Sequence, residues 1–312
     1  MRLQKIETIG DGAKGSWGWT ELNGRRMGAA AGEAGAWNVS VGIADGPRGE
    51  PGDVVVDLRR SSTNADPLLP LRRSMYWGGT VLPSGSLVPA PFPGFMDGQW
   101  PDVLERVAET GVYDQWTGGT GKGKERGANH CLVNEYLPGQ GIMPHTDGPA
   151  YLPCTSTLSL GSHTILSLRS KPAHLQPPSA SSPPSSTTAS GPQAAEKPAP
   201  EVEKIDIFLP PRSLVVLTGE LYASWLHGIQ PLKADPLELL KACANWEGWW
   251  DWQLESAAEG AGEGDGQEKS EERKKDVDDR RKLVEAGHGW AREKRVSLTC
   301  RRVQKVRRIK LV

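Results

Sequence analysis

The alternation of apolar and polar positions along this chain predicts strands. In CLVNEYL (131–137) and TLSLGSHTILSL (157–168) the two classes alternate with period two or run apolar and β-branched, as in half-buried strands. IDIFL (205–209) and SLVVLTG (213–219) predict a hairpin turned at Pro210 and Pro211, and RVSLTCRRV (295–303) predicts a final strand. Val54–Leu58 reads as a further strand near the amino-terminal end. One helix is expected at Pro101–Thr110, with Pro101 in the first turn, Val103, Leu104, Val107 and Ala108 on one face, and Gly111 past its end. Many strands, few helices and no regular alternation between them predict a mainly β sandwich or barrel.

Two stretches break the pattern. Residues 171–203 are rich in Pro, Ser and Ala and almost free of large apolar side chains, so a disordered insert is expected there. A second insert is expected at 231–293, where GAGEGDGQEKSEERKKDVDDRRK is too polar to bury a face. Within it Trp246, Trp249, Trp250 and Trp252 form either a short amphipathic helix that docks on the body or a local cluster without a role. Residues 28–73 form another irregular region. The expected organisation is a divergent part at 1–128, a domain at 129–303 interrupted by the two inserts, and a basic tail at 304–312.

Composition narrows the partners. With 312 residues, 37% hydrophobic, 37 Gly and 25 Pro, the chain holds one sizeable core plus looser segments. A net charge of −1 excludes bulk attraction to nucleic acid or anionic membrane, although AREKRVSLTCRRVQKVRRIKLV concentrates nine basic residues against one acidic. That stretch reads either as a solvated tail or as a phosphate contact, and only Arg302 onward is available for contact, because Arg301 and Arg302 face opposite ways on a strand. No run approaches the roughly 18 apolar residues of a membrane span, and MRLQKIETIGDGAKG lacks the apolar core of a secretory signal. Cys131, Cys154, Cys243 and Cys300 form no CxxC pair, which argues against a zinc knuckle or disulfide framework and fits a reducing compartment.

The candidate chemistry lies in GIMPHTDGPAY, where His145 and Asp147 leave the same face of an extended segment and can grip one ion. His227, in SWLHGIQ, follows a predicted strand and supplies a third ligand if the chain folds back. Two histidines and one carboxylate leave about three coordination positions open, which suits Fe(II) in non-haem oxygenases. Taken alone, the HxD pair more often describes a turn aspartate beside a surface histidine. Arg295 and Arg301 share one face of the last strand with Ser297 and Thr299. Two inward guanidinium groups need an anion, and a small dicarboxylate such as 2-oxoglutarate supplies one through a bidentate pair; a solvated basic edge is the alternative. Asn134 and Tyr136 share a strand face and can hydrogen-bond the same ligand. His130 and His163 read as core histidines or supports of the site, and His174 and His288 as solvated.

The ordered set NHCLVNEYLPGQGIMPHTDGP, STLSLGSHTIL, PRSLVVLTGELYASWLHGI and RVSLTCRRV resembles the AlkB family of Fe(II)- and 2-oxoglutarate-dependent dioxygenases, most closely its AlkB homologue six subgroup. The likeness covers about half the chain, and WTELNGRRM (19–27) and SMYWGG (74–79) look like two halves of one family segment split by residues 28–73. It implies a mainly β, double-stranded β-helix (jelly-roll-like) fold with one or two flanking helices and disordered inserts. It makes His145, Asp147 and His227 the iron ligands and Asn134, Tyr136, Arg295 and Arg301 the 2-oxoglutarate contacts, with O2 as the second co-substrate. The implied reaction is oxidative demethylation of an alkylated DNA or RNA base, by a monomer of nucleus or cytoplasm without a membrane partner. The long gap from Asp147 to His227 shortens to family spacing once 171–203 is removed, and such a loop is tolerable because closure entropy grows only with the logarithm of length. The upstream helix and strand expected before WTELNGRR are missing. A protein or small-molecule hydroxylase with the same iron chemistry, or a metal-binding module without activity, is the alternative reading.

Overall fold

Strands buried on both faces, such as IDIFL and SLVVL, need cover on both sides, and the fold supplies it in four layers. The computed structural model describes residues 72–171, 203–259, 267–287 and 289–307, together with three earlier strands. The first elements are β1 (Gln4–Glu7), β2 (Trp17–Asn23), β3 (Asn38–Ala44), β4 (Arg73–Trp77), β5 (Gly79–Val81) and β6 (Ser86–Pro89). Helices α1 (Val103–Glu109) and α2 (Asp114–Thr117) precede β7 (His130–Tyr136), β8 (Ile142–His145), β9 (Tyr151–Gly161) and β10 (Thr164–Ser170). Next come β11 (Lys204–Leu209), β12 (Ser213–Thr218), α3 (Gly219–Ala223), β13 (Trp225–Ile229) and β14 (Ala234–Pro236). The chain continues with α4 (Leu237–Ala242), α5 (Trp246–Glu259), α6 (Gln267–Ala286), β15 (Gly289–Ala291), β16 (Arg295–Val303) and β17 (Lys305–Val306).

A major sheet in the order β1-β2-β3-β12-β9-β16-β7-β4 faces a minor sheet in the order β11-β10-β13-β8, giving the expected jelly-roll-like double-stranded β-helix. Between the sheets, Tyr136, Val215 and Leu217 of the major sheet pack on Leu166, Leu168, Ile207, Leu209, Trp225 and Ile229 of the minor one. The alternate residues of the major strands, including Cys131, Val133, Leu158, Leu214, Val216, Val296, Leu298 and Cys300, face outward and are covered by Met96, Val103, Leu104 and Val107 of the α1 region. All four predicted apolar positions of α1 are buried, and Gly111, at φ 73, follows its end.

The predicted hairpin does not form. β11 pairs with β10 in the minor sheet and β12 with β9 and β3 in the major sheet, so the turn at Pro210 and Pro211 carries the chain from one sheet to the other. Two strands buried on both faces cannot satisfy that requirement in a two-stranded ribbon with a wet side. The segment 157–168 likewise divides, with β9 and β10 in different sheets. Gly161 makes the break at φ 80, where a Cβ would lie 2.4 Å from the Lys294 carbonyl oxygen.

Residues 231–293 also depart from the expectation of disorder: their described part is folded. Leu240, Cys243, Trp246, Trp249, Trp250, Val277 and Val284, from α4, α5 and α6, bury Phe208 and Ile165 on the outer face of the minor sheet. The segment is polar on average, but a helix needs only one apolar stripe to dock, and the clustered tryptophans and Val277/Val284, two turns apart, supply it. This also raises the helices among the described residues to six, where one or two were expected. Asn245 shields the edge of β11, its amide exchanging two 2.8 Å hydrogen bonds with the backbone of Phe208. At the base of the excursion β14 pairs with β15, and Arg292 grips the fully buried Asp235 through two bonds of 2.7 and 2.6 Å.

Part of the expected basic tail is tied down, since Lys305–Val306 pairs in parallel with β6. Residues 172–202, the Val54–Leu58 strand, His174 and His288 lie outside the described residues. All four cysteines are buried and free, and among the described residues no helix is long and apolar enough to cross a membrane.

Docking of the helical layer through the fully buried Trp246 has a measurable consequence. Trp246→Ala is expected to destabilise the protein by about 3–5 kcal/mol, the cost of emptying a large buried aromatic site. Equilibrium urea unfolding of the full chain checks this; an unchanged midpoint would show that the layer is not coupled to the sheets.

Candidate metal centre

His145 ends β8 and His227 lies opposite it on β13 as its cross-strand partner, with ring centroids 4.3 Å apart. Asp147 follows just after β8 ends. One donor atom from each of His145, Asp147 and His227 lies within 4.8 Å of the others, and this is the one such cluster found among the described residues. The His145 Nδ1–H donates to the Met143 carbonyl at 2.8 Å, which leaves Nε2 as the unprotonated, coordinating nitrogen. Burial first, and the neighbouring His145 second, push His227 down to about 4, so at neutral pH it is the neutral imidazole that a metal requires. Its buried Nδ1 has no hydrogen-bond partner.

The Asp147 side chain is held from two sides. Thr155 donates its hydroxyl to Oδ2 at 2.5 Å, and Arg301 places an Nη on Oδ1 at 2.5 Å. Arg301 and Thr155 are themselves cross-strand partners on β16 and β9. The Arg301 guanidinium lies 4.9 Å from the Tyr151 ring centroid. Burial lowers the Arg301 pKa, but Asp147 and Tyr151 outweigh it and hold the group above its ordinary range. Arg301, expected at the co-substrate, thus commits one nitrogen to Asp147 and keeps a buried Nε without a partner.

Arg295 is 4% exposed. One of its nitrogens donates to the Ser159 hydroxyl at 2.8 Å and its guanidinium lies 5.4 Å from the Tyr136 ring centroid, while Nε and Nη1 have no partner. Burial pushes its pKa down to about 10, still far above neutrality, so the cation persists with two donors unanswered. A buried cation in that state is costly until an anion arrives. Asn134 and Tyr136 face the same interior, opposite Ser297 and Arg295 in the register of β7 against β16. Ser74 donates to Asn134 Oδ1 at 2.6 Å, which leaves the amide nitrogen as the end available to donate.

The supporting residues were less legible in the sequence. Thr155, Thr157 and Ser159 alternate along one face of β9, so the pattern T-S-T-L-S held a signal for an inward row of hydroxyls. Tyr222 carried no such signal: its phenol oxygen is buried without a partner, and burial first, then Asp147, raise its pKa well above the usual range, which keeps it a protonated donor. His130 is a core residue, stacked between Tyr76 and Tyr151, and His163 faces Asp235 at 3.1 Å. Arg302 points the other way, as its place on the strand requires, and donates to the carbonyls of Lys124 and Gly127.

The donor set fits a divalent iron with open positions, since two imidazoles and one carboxylate form the triad that such sites use. The anion pocket fits a carboxylate-bearing ligand, because the buried Arg295 cation keeps Nε and Nη1 without partners. Comparison with known proteins points the same way. The family model described as the 2OG-Fe(II) oxygenase superfamily matches residues 90–301. A protein of Danio rerio named probable RNA/DNA demethylase ALKBH6 is 32% identical over 171 residues, which is 53% of this chain and 58% of that protein. The tRNA (carboxymethyluridine(34)-5-O)-methyltransferase alkbh8 of Xenopus tropicalis is 25% identical over 48% of this chain and 18% of its own length. The chain therefore spans less than two thirds of either relative. The solved structure of OsALKBH1 aligns over 74% of this chain and 78% of its own, with 15% identity and a TM-score of 0.32.

Two expectations follow. Arg295→Lys keeps the charge and loses the planar fork, so 2-oxoglutarate should bind more weakly by about 1.5–3 kcal/mol in a titration of Mn(II)-loaded protein. Arg302→Lys, on the opposite face, should bind it as the wild type does; the reverse result would put the pocket elsewhere. The second concerns acid stability. Burial first, and Arg301 second, push His130 from 6.5 down to about 4, so between these values the unfolded chain binds the extra proton and the folded one does not. Stability should therefore fall as pH drops from about 6.5 to about 4, by on the order of 3 kcal/mol for this group. Urea midpoints across that range should be less pH-dependent in His130→Phe, and equal slopes would contradict the assignment.

Proposed function

The chain belongs to the 2OG-Fe(II) oxygenase superfamily, and from that premise we propose that it is an AlkB-type dioxygenase that oxidatively demethylates an alkylated nucleic-acid base. The observation that carries this reading is the convergence of His145, Asp147 and His227 in the same sheet interior as Arg295, whose buried Nε and Nη1 lack partners. His145, Asp147 and His227 hold the metal, two through imidazole nitrogens and one through a carboxylate oxygen. Arg295 binds the distal carboxylate of 2-oxoglutarate, with Asn134 and Tyr136 beside it and Ser159 fixing the guanidinium. Arg301 holds Asp147 and offers its buried Nε to the same co-substrate. When bound, iron and 2-oxoglutarate supply O2 activation coupled to decarboxylation to succinate and CO2, and hydroxylation of an N-methyl group then releases formaldehyde. The burial of Arg295, Arg301, Asn134 and Thr155 shields the arginine side of the site from bulk water.

Support for a base as substrate comes from a relative named a probable RNA/DNA demethylase and from the aromatic surface next to the site. Tyr76, 54% exposed, stacks on His130, which stacks on Tyr151 beneath Arg301. Such a face suits a planar base presented in a single strand or flipped from a duplex. The buried free thiols support a reducing compartment, nucleus or cytoplasm.

The test is incubation of the full chain with Fe(II), ascorbate and 2-oxoglutarate in the presence of methylated single-stranded oligonucleotides or methylated peptides, followed by mass spectrometry. Loss of methyl groups from an oligonucleotide is expected, with succinate formed in step, and Asp147→Ala should abolish both. Modification of peptides alone would replace the base with a protein substrate, and undiminished turnover in Asp147→Ala would remove the metal assignment.

A further inference from the structure

Asp147 lies in a segment without regular structure after β8 ends, so its backbone is not pinned by a ladder as those of His145 and His227 are. Side-chain bonds must do that work. Arg301 alone leaves the carboxylate able to turn about Cβ–Cγ, because a single contact fixes one oxygen and the arginine is long. The second contact comes from Thr155, on β9 between β12 and β16, where the backbone is held on both sides. Thr155 is 3% exposed. Valine has the same shape and suits a buried strand better, so a hydroxyl here costs stability unless it is hydrogen-bonded, and its bond is the one to Asp147 Oδ2. The other hydroxyls of the row serve different groups: Thr157 meets Thr299 and Ser159 meets Arg295.

We propose that Thr155 is a positioning residue for the metal centre: with its cross-strand partner Arg301 it fixes the plane of the Asp147 carboxylate, one donor to each oxygen, so that a free lone pair faces His145 and His227. This rests on the reading of those three residues as metal ligands. Each carboxylate oxygen carries two lone pairs, so both bonds are compatible with coordination by a single oxygen. They oppose the symmetric grip in which both oxygens turn to the metal, and they arrange the ligand before the ion arrives, as hydrogen-bonded supports of metal ligands do.

The experiment is a Mn(II) titration of the full chain, followed by electron paramagnetic resonance, for wild type, Asp147→Ala, Thr155→Val, Thr155→Ala and Thr155→Ser. Wild type is expected to bind one ion and Asp147→Ala none. Thr155→Val should bind about tenfold more weakly, within the range for loss of a ligand's hydrogen-bonded support, and Thr155→Ser should stay close to wild type. At saturating Mn(II), 2-oxoglutarate should bind Thr155→Val as it binds wild type, an outcome that general misfolding would not give. Thr155→Ala carries the same expectation and decides the matter if the valine variant does not fold. Equal Mn(II) affinity in wild type and Thr155→Val, or equal weakness in Thr155→Val and Thr155→Ser, overturns the positioning role while leaving the metal centre intact. Absence of Mn(II) binding in wild type instead overturns the metal centre itself.

Discussion

The site depends on the burial of strand β16 on both faces. Val296, Leu298 and Cys300 enter the apolar core against α1, so the period of two drives Arg295, Ser297, Thr299 and Arg301 into the space between the sheets. A shift of one residue would exchange the sets and place two guanidinium groups in a hydrocarbon core, an outcome costly enough to fix the register. Pairing with β7 on one side and β9 on the other then sets Tyr136 and Asn134 beside the arginines and the β9 hydroxyls across from them.

That interior is short of negative charge. Among the described residues, two buried arginines share this interior with the single carboxylate of Asp147, which pairs with Arg301, and a divalent cation would widen the imbalance further. A dianionic co-substrate redresses it, which is why the cofactor pair belongs together: the metal and the arginines attract the dicarboxylate, and the dicarboxylate relieves the buried cations. Asp147 links the two parts, since it faces the histidines on one side and Arg301 on the other.

The helical layer shows how a long excursion can sit between two parts of a site without disturbing it. His227 and Arg295 are separated by α4, α5 and α6, yet the chain leaves and re-enters through the β14–β15 ribbon closed by Asp235 and Arg292. Burial opposes ionisation of Asp235, but the His163 and Arg292 contacts prevail and keep it below the usual carboxylate range, so the pair stays charged and joined. The layer covers Phe208 and Ile165, which would otherwise expose the outer face of the minor sheet.

The sequence by itself determined strands β7, β11, β12 and β16, much of β9 and β10, a helix within Pro101–Thr110, the facing of Arg295 and Arg301 and the HxD pair. Each of these follows from local periodicity or from residues a few positions apart, which any fold must respect. Tertiary structure alone decided that 205–209 and 213–219 belong to different sheets, that part of 231–293 folds as a helical layer, and that Thr155 holds Asp147. Which sheet a strand joins, whether a sparse apolar stripe finds a face to cover, and which hydroxyl meets which carboxylate are set by partners distant in sequence. Periodicity carries no information about those partners.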